Sequence, residues 1–228
     1  MWMQYPQIPE LYSVDDQYLI GSDLLVKPVT SPGATTSEIL FPTSDCWYDV
    51  NNLQVVKVNG DTNTAISVTV SSDIDTIPVF QRGGSIIARK LRLRRSSHLM
   101  TKDPYTLFVA LGSDLKAEGT LYMDDETTFD HEKRQDFGIA SFHTSWADNI
   151  ALQNSVILGN TATMVASDLS NRIVERIIVM GVPTKPREIS VESHTSSLDF
   201  QYNAESKILV IRKPLVSALE QWTISIIL

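Results

Sequence analysis

Apolar and polar residues alternate with a period of two along most of this chain. The alternation is clearest at positions 66–70 and 222–226, where every second residue is apolar. Such a pattern predicts β-strands that turn one face toward a core and the other toward water. Denser apolar runs at 173–180 and 208–211 predict strands that are buried on both faces or lie near the centre of a sandwich.

Turn-forming residues separate these short apolar segments. Glycine or proline interrupts the pattern at 31–33, 59–61, 82–84 and 181–183, where positive φ at glycine and fixed φ at proline favour turns. No segment keeps a 3.6-residue period for long enough to form a core helix. The sequence therefore predicts an all-β protein built from two consecutive antiparallel β-sandwich domains.

Composition divides the chain into three parts. The polar stretch 94–104 ends in a proline, as a linker would, and places a domain boundary near residue 97. Residues 1–17 show neither period, so we expect an extended lead-in that has no core of its own and remains from a preceding domain. The predicted domains are therefore a lead-in at 1–17, a proximal sandwich at 18–97 and a distal sandwich at 98–228.

Charge and hydropathy exclude some classes of partner. The net charge is −8, which disfavours general attraction to nucleic acid or to anionic lipid. The one basic run, 89–95, alternates with Leu91 and Leu93, so we interpret it as a half-exposed strand rather than a nucleic-acid patch. The sequence has no apolar run of about eighteen residues, so no membrane span is predicted. Cys46 is the only cysteine, which rules out an internal disulfide.

Adjacent carboxylates are the first candidates for chemistry. Asp124, Asp125 and Glu126 follow the apolar segment 121–123. Neighbouring residues of an extended chain point to opposite faces, so the two aspartates are not expected to face one substrate. We interpret them as opening a turn by accepting hydrogen bonds from their own backbone. A calcium-binding turn is the alternative, although the spaced ligands and the glycine of a calcium loop are lacking.

Histidine and glycine patterns add no further site. His98, His131, His143 and His194 are scattered, and none stands beside a serine or cysteine in a nucleophile motif. The Arg-Gly-Gly sequence at 82–84 lacks the Gly-Lys-Ser/Thr ending and the following helix of a phosphate-binding loop. The sequence therefore predicts no catalytic residue, no cofactor-binding residue and no metal ligand.

Aromatic residues leave two interpretations open. Trp47, Tyr48, Tyr122 and Trp146 could form an exposed platform that stacks on sugar rings, or they could fill the space between two sheets. Aromatic residues make up only 8% of the chain, and the sequence shows no exposed cluster of them. Packing between the sheets is therefore favoured.

Motifs spread over nearly the whole chain resemble segments of one protein family. They lie at 2–6, 15–18, 24–26, 47–49, 77–84, 107–111, 119–125, 128–129, 175–179 and 209–214. Among them, Trp47-Tyr48-Asp49 resembles a strand of the proximal C-terminal sandwich of glycoside hydrolase family 31, and 77–84 resembles its closing strand. Residues 119–125 resemble the distal sandwich of the same family. More narrowly, the chain resembles the neutral α-glucosidase and glucosidase II branches of this family.

Three positions depart from the family pattern. Glu126 stands where the family often has glycine, which bears on the geometry of the turn after the paired aspartates. Ala88 stands where proline is common, and Cys46 corresponds to no family role.

The resemblance implies an activity whose catalytic residues lie outside this chain. Family 31 α-glucosidases hydrolyse terminal α-linked glucose with retention of configuration and without a cofactor, using aspartates in barrel loops that would precede Met1. We therefore expect the non-catalytic C-terminal portion of an α-glucosidase, inactive by itself. The expected partners are the catalytic barrel of the parent enzyme and, in the glucosidase II branch, a β subunit, with an α-glucoside or an N-glycan as substrate.

The same resemblance implies a cellular compartment for the protein. The glucosidase II branch implies the lumen of the endoplasmic reticulum, with the cytoplasm as the alternative. A second class of function also stays open, in which the chain is a stand-alone β-sandwich that binds carbohydrate or acts as a scaffold.

Overall fold

The computed structural model describes residues 1–56, 58, 63–159, 172–192 and 197–228. Its regular secondary structure is almost entirely β-strand, which confirms the all-β fold class. The chain forms two compact units, Met1–Ser85 and Ile86–Leu228. The turn expected at 59–61 and the residue His194 lie outside the described residues.

In the described part of the first unit, seven strands form two sheets. The strands are β1 (Tyr18–Ile20), β2 (Leu24–Val26), β3 (Thr36–Pro42), β4 (Trp47–Asp49), β5 (Val55–Val56), β6 (Ala65–Ser71) and β7 (Val79–Arg82). The larger sheet has the order β1-β2-β7-β4-β5, and β3 pairs with β6. The pairings between these strands are antiparallel.

Both sheets of the first unit contribute to one hydrophobic core. Leu25, Trp47 and Phe80 come from the larger sheet, and Ile39 and Phe41 come from the β3–β6 pair. The ring of Phe41 meets that of Phe80 edge-on, with 4.9 Å between the ring centroids. Two antiparallel sheets that share a core form a sandwich, as the alternating pattern predicts.

The first residues of the chain belong to this core, which corrects the expected extended lead-in. Tyr5, Ile8 and Leu11 are buried in it, and the chain between them runs through turns into the 3-10 helix Pro9–Leu11. The Ile8 amide donates to the Tyr5 carbonyl and the Leu11 amide to the Ile8 carbonyl. Each turn advances the chain by three residues, so the three apolar side chains share one face. A spacing of three over only two turns is too short to stand out as a periodic pattern.

In the described part of the second unit, ten strands form a single sheet. They are β8 (Ser85–Arg89), β9 (Tyr105–Ala110), β10 (Glu118–Met123), β11 (Gly138–Trp146), β12 (Ile150–Gly159), β13 (Ile173–Met180), β14 (Glu188–Val191), β15 (Phe200–Asn203), β16 (Ile208–Ser217) and β17 (Trp222–Ile227). The order is β14-β17-β12-β11-β10-β8-β9-β13-β16-β15. The described residues of this unit also include the short helix α1 (Asp130–Lys133) and the 3-10 helix Ser97–Met100, which lie between strands.

The two halves of this sheet enclose one core. Phe142 and Ile224 project into it from one half, and Leu107, Ile177 and Ile211 project from the other. Every residue of β9 is buried, which fits its place in the interior of the sheet. Strand β13 pairs with β9 in parallel and with β16 in antiparallel register. The last four residues of β13 are all buried, as the dense apolar run predicts, whereas 208–211 alternates between buried and half-buried positions.

The compact units divide earlier than the boundary expected near residue 97. Strand β8, at 85–89, hydrogen-bonds between β9 and β10 and therefore belongs by pairing to the sheet of the second unit. The predicted domain bounds at residues 17 and 97 stay a prediction.

Candidate functional site

The adjacent carboxylates after β10 build a turn. The Oδ1 atom of Asp125 accepts hydrogen bonds from the amides of Thr127, at 3.1 Å, and Thr128, at 2.9 Å. Its Oδ2 atom accepts the Thr128 hydroxyl at 2.6 Å, and the Asp124 Oδ1 atom accepts the Glu126 amide at 2.8 Å. The predicted turn, with side chains that accept from their own backbone, is confirmed.

Hydrogen bonding fixes the charge of Asp125. The hydroxyl and the amide of Thr128 donate to its carboxylate and lower its pKa to about 2, because these bonds favour the charged form. A general acid for glycoside cleavage needs a pKa raised toward neutrality. Asp125 is perturbed in the opposite direction and is therefore a structural anion.

Glu126 occupies a left-handed backbone conformation, with φ of +59°. In this conformation the Cβ atom of a non-glycine residue approaches the following carbonyl oxygen, which costs energy. Glycine, which the family often has here, would be less strained. The Glu126 carboxylate accepts hydrogen bonds from Lys90 at 2.8 Å, the Thr101 hydroxyl at 3.1 Å and Arg172 at 3.1 Å. Burial alone would raise the pKa of Glu126, but the hydrogen bond and charge of Lys90, together with Arg172, hold it below its usual value.

Arg172 joins this turn to the core of the second unit, and sequence reasoning missed it. Its side chain is only 2% exposed. One guanidinium nitrogen donates to the Thr101 carbonyl at 2.9 Å and to Glu126, and another donates to the Asp124 carbonyl. The one signal in the sequence was an arginine placed directly before the apolar run 173–180, a position that by itself indicates no partner.

These contacts leave no acid and nucleophile pair at the turn. The Asp124 Oδ2 atom accepts the Tyr122 hydroxyl at 3.1 Å, while Asp125 and Glu126 are held as anions by donors. Retaining glycoside cleavage requires two carboxyl groups about 5–5.5 Å apart across one bond, one of them protonated. The turn therefore supports structure rather than hydrolysis.

The basic run 89–95 differs from the expected half-exposed strand, and that prediction was wrong beyond Arg89. Strand β8 ends at Arg89, and the following residues form an irregular segment. Arg94 donates two hydrogen bonds to the nearly buried Asp103, at 3.0 and 2.7 Å, and these bonds lower the pKa of Asp103. Arg92 lies 2.9 Å from Glu175. Bidentate and paired arginines of this kind hold a loop in place.

The Arg-Gly-Gly turn after β7 anchors a second polar cluster, in the first unit. Arg82 donates to the Ser22 carbonyl at 2.8 Å and to Asp23 at 3.2 Å, and it lies 3.6 Å from Asp45. Asp45 also accepts the Tyr5 hydroxyl at 2.9 Å. Burial lowers the pKa of Arg82, but Asp45, Tyr5 and Asp23 together outweigh this effect and the net shift is upward. Gly84 has φ of +93°, so the turn uses its glycine for conformation rather than for binding phosphate.

The histidines do not form a metal site within the residues that the structure describes. His98 lies in a 3-10 helix, His131 in α1 and His143 in β11. The closest carboxylate oxygens to His131 are those of Asp124 and Glu132, at 3.8 and 3.9 Å. A calcium-binding turn at 124–126 gains no support from this arrangement.

The four aromatic residues separate into two groups. Trp47 and Tyr48 are buried in the first unit, so the interpretation as sheet-packing residues is confirmed for them. Tyr122 is 49% exposed and stacks on Phe137 with 5.7 Å between ring centroids. Tyr122 pairs with Ile139 and Trp146 lies seven residues further along β11, about 23 Å away at strand spacing. The exposed pair therefore does not form one platform.

Two concave sites lie in the first unit. One has a volume of about 410 Å³ and a polar lining that includes Asp16, Gln17, Lys27 and Glu38. The other has a volume of about 310 Å³ and is lined by Trp2, Pro6 and Tyr12. The first offers hydrogen-bonding groups, whereas the second exposes aromatic surface.

Comparison with known proteins identifies the matched region. Residues 1–87 match the family model described as the glycosyl hydrolase family 31 C-terminal domain. Neutral alpha-glucosidase AB of Homo sapiens is 37% identical over 233 residues, which cover 98% of this chain and 23% of that protein. The Dictyostelium discoideum protein of the same name is 38% identical over 218 residues, covering 94% and 22%.

A solved structure shows the same fold. The crystal structure of the ER glucosidase II heterodimeric complex, consisting of a catalytic subunit and the binding domain of a regulatory subunit, matches with a TM-score of 0.83 and 31% identity. The match covers 99% of this chain and 25% of that one. The chain thus spans about a quarter of the length of these relatives. Among the described residues, no helix is both long enough and apolar enough to cross a membrane.

Proposed function

The chain belongs to glycoside hydrolase family 31, and on that premise we propose that it serves as the non-catalytic C-terminal portion of a retaining α-glucosidase. The observation that carries the proposal is the match of nearly the whole chain to about a quarter of neutral alpha-glucosidase AB. The turn at Asp124–Glu126 supports it, because its carboxylates are committed to donors and its pKa shifts oppose general-acid chemistry. Hydrolysis of terminal α-linked glucose then belongs to the parent enzyme.

The proposed role of this chain is to support the catalytic barrel of that enzyme. Trp2, Met3 and Tyr12 expose large apolar side chains, and Trp2 and Tyr12 line the concave site of about 310 Å³. Exposed apolar surface of this kind marks an interaction site. We assign it to contact with the barrel, while Tyr5, Ile8 and Leu11 of the same segment anchor it in the first sandwich.

The finer assignment is to the glucosidase II branch. The matched heterodimer pairs a catalytic subunit with the binding domain of a regulatory subunit, and its name places it in the endoplasmic reticulum. By this analogy the parent enzyme trims glucose from N-linked glycans in the lumen and has a β subunit as its partner. The analogy rests on the family rather than on a contact surface of this chain.

Activity of the native protein and of the chain alone tests the proposal. An antibody against residues 100–228 is used to precipitate the native protein, and release of 4-nitrophenol from 4-nitrophenyl α-D-glucoside is measured. The precipitate should hydrolyse the α-glucoside but not the β-anomer, and the purified 228-residue chain should hydrolyse neither. Turnover by the purified chain would contradict the non-catalytic role. A precipitate without α-glucosidase activity would contradict membership in an active enzyme.

A further inference from the structure

A polar cavity in the first unit has no part in the role proposed above. It has a volume of about 410 Å³ and lies beside β3, where Glu38 and Leu40 face residues 27–31 after β2. Small-molecule sites in proteins enclose about 300–1,000 Å³. The cavity therefore suits a small ligand rather than a long polymer.

Hydrogen bonds hold the walls of the cavity in place. The buried Gln17 side chain donates from Nε2 to the Leu40 carbonyl at 2.8 Å and accepts from the Leu40 amide at 3.0 Å. The Lys27 amide donates to the Pro78 carbonyl at 3.0 Å, and the Ser72 hydroxyl donates to that of Ser37 at 2.7 Å. A preformed wall lowers the conformational cost of binding.

A nearly buried ammonium group reaches this cavity. The Lys27 side chain is only 11% exposed, and its Nζ atom donates to Asp16. Across the cavity wall, Glu38 accepts the Ser67 hydroxyl. An ammonium and a carboxylate each retain further donor or acceptor capacity after one such bond. The cavity thus presents charged donors and acceptors together, with hydroxyl groups of Ser31 and Ser37 among its lining.

The balance of charge selects the class of ligand. The lining holds one cation, Lys27, and two carboxylates, Asp16 and Glu38, so a phosphate or another anion would meet net repulsion. Lys27 is already paired with Asp16, which leaves the exposed carboxylate of Glu38 as the net charge, and a single exposed carboxylate holds a cation only weakly in water. A neutral ligand with many hydroxyl groups can donate to the carboxylates and accept from the ammonium without either penalty.

We propose that this cavity is a non-catalytic binding site for a monosaccharide or disaccharide, with Lys27 and Glu38 as its main polar contacts. The choice of a sugar among neutral polyols rests on the proposed function, whereas the cavity and its hydrogen-bonding groups do not. Such a site would hold a sugar on the enzyme away from the carboxylates that cleave it.

Titration of the complete 228-residue chain with glucose, maltose and nigerose tests the proposal. The readout is the shift of backbone amide signals in two-dimensional NMR spectra. We expect saturable shifts at Gln17, Lys27 and Leu40, with dissociation constants of about 1 mM or weaker. Glu38→Gln and Lys27→Met should each weaken binding about tenfold, because each removes a hydrogen bond to a charged group.

Glu10→Gln is the matched control, because it removes an exposed carboxylate of the same unit that does not line the cavity. It should leave the dissociation constant unchanged. Absence of saturable shifts at cavity amides, or equal affinity for myo-inositol, would overturn the proposal. A loss of affinity in the Glu10→Gln control equal to that in Glu38→Gln would also overturn it. The binding assay needs no hydrolysis, so its outcome is independent of whether the parent enzyme is an α-glucosidase.

Discussion

Replacing Arg172 by methionine is the most informative perturbation of the second unit. Methionine retains much of the apolar stem of arginine but removes the guanidinium group. The change deletes the donors to the Thr101 carbonyl, the Asp124 carbonyl and the Glu126 carboxylate. It therefore tests whether a buried charge fastens the turn after β10 to the β9–β13 region.

The magnitude follows from which partners keep another donor. The Thr101 carbonyl keeps Lys90 at 3.2 Å, and Glu126 keeps both Lys90 and the Thr101 hydroxyl. The Asp124 carbonyl loses its hydrogen bond from Arg172, and an unsatisfied polar group costs about 1–3 kcal/mol. Loss of the ion pair adds to this, although part of the desolvation cost of the guanidinium is recovered. We expect Arg172→Met to lower the free energy of unfolding of the second unit by about 2–3 kcal/mol.

Native-state hydrogen exchange at the amides of β9 and β13 measures this change in the second unit alone. Arg95→Met is the matched control, because it makes the same chemical change at an exposed position and should alter stability by less than about 0.5 kcal/mol. Glu126→Gln in both backgrounds completes a double-mutant cycle, and a coupling of about 0.5 kcal/mol or more is expected for directly contacting residues. If Arg172→Met were no more destabilising than Arg95→Met, the reasoning would be refuted.

Three further predictions concern other parts of the chain. Asp125 has a pKa depressed from 3.8 to about 2, so the stability that it contributes is present above pH 3.8 and is lost as the pH falls through 2. The melting temperatures of the wild type and of Asp125→Ala should therefore converge as the pH falls through this window. A constant difference between them would contradict the assignment. Gly119→Ala would place a Cβ atom 2.0 Å from the Ile86 carbonyl oxygen and should destabilise the second unit by about 1–3 kcal/mol, as measured by urea unfolding. An unchanged midpoint of urea unfolding would show that β8 and β10 are farther apart. Leu11→Ala should lower the free energy of unfolding of the first unit by about 2–5 kcal/mol, as measured by hydrogen exchange at the amides of β2 and β7. A neutral effect would mean that the N-terminal segment does not contribute to the core.

Regular alternation made the fold class predictable. One buried face and one solvated face force a period of two on each strand, and strands such as β17 at 222–227 show it clearly. The turn at Asp124 was also predictable, since aspartate in this setting accepts from its own backbone. Both features depend on residues close together in the sequence.

Features that depend on distant residues were missed or misread. Leu91 and Leu93 imitate a strand in the basic run, yet Leu93 is 99% exposed, and the arginines beside it are fixed by acids as remote as Glu175. Arg172 meets residues 101 and 124–126 only after the sheet has formed. The polar cavity likewise brings residues near 16, 27, 38 and 67 together through pairing. Local patterns carry no information about such contacts.

The size of the native protein tests the central claim most directly. An antibody against residues 100–228 applied to a denaturing gel of cell extract reports the mass of the polypeptide that contains this chain. Because the chain covers 23% of neutral alpha-glucosidase AB, the account predicts a band at about four times the 25.4 kDa of these 228 residues. A single band near 25.4 kDa, with no larger species, would contradict it and favour a stand-alone sandwich protein.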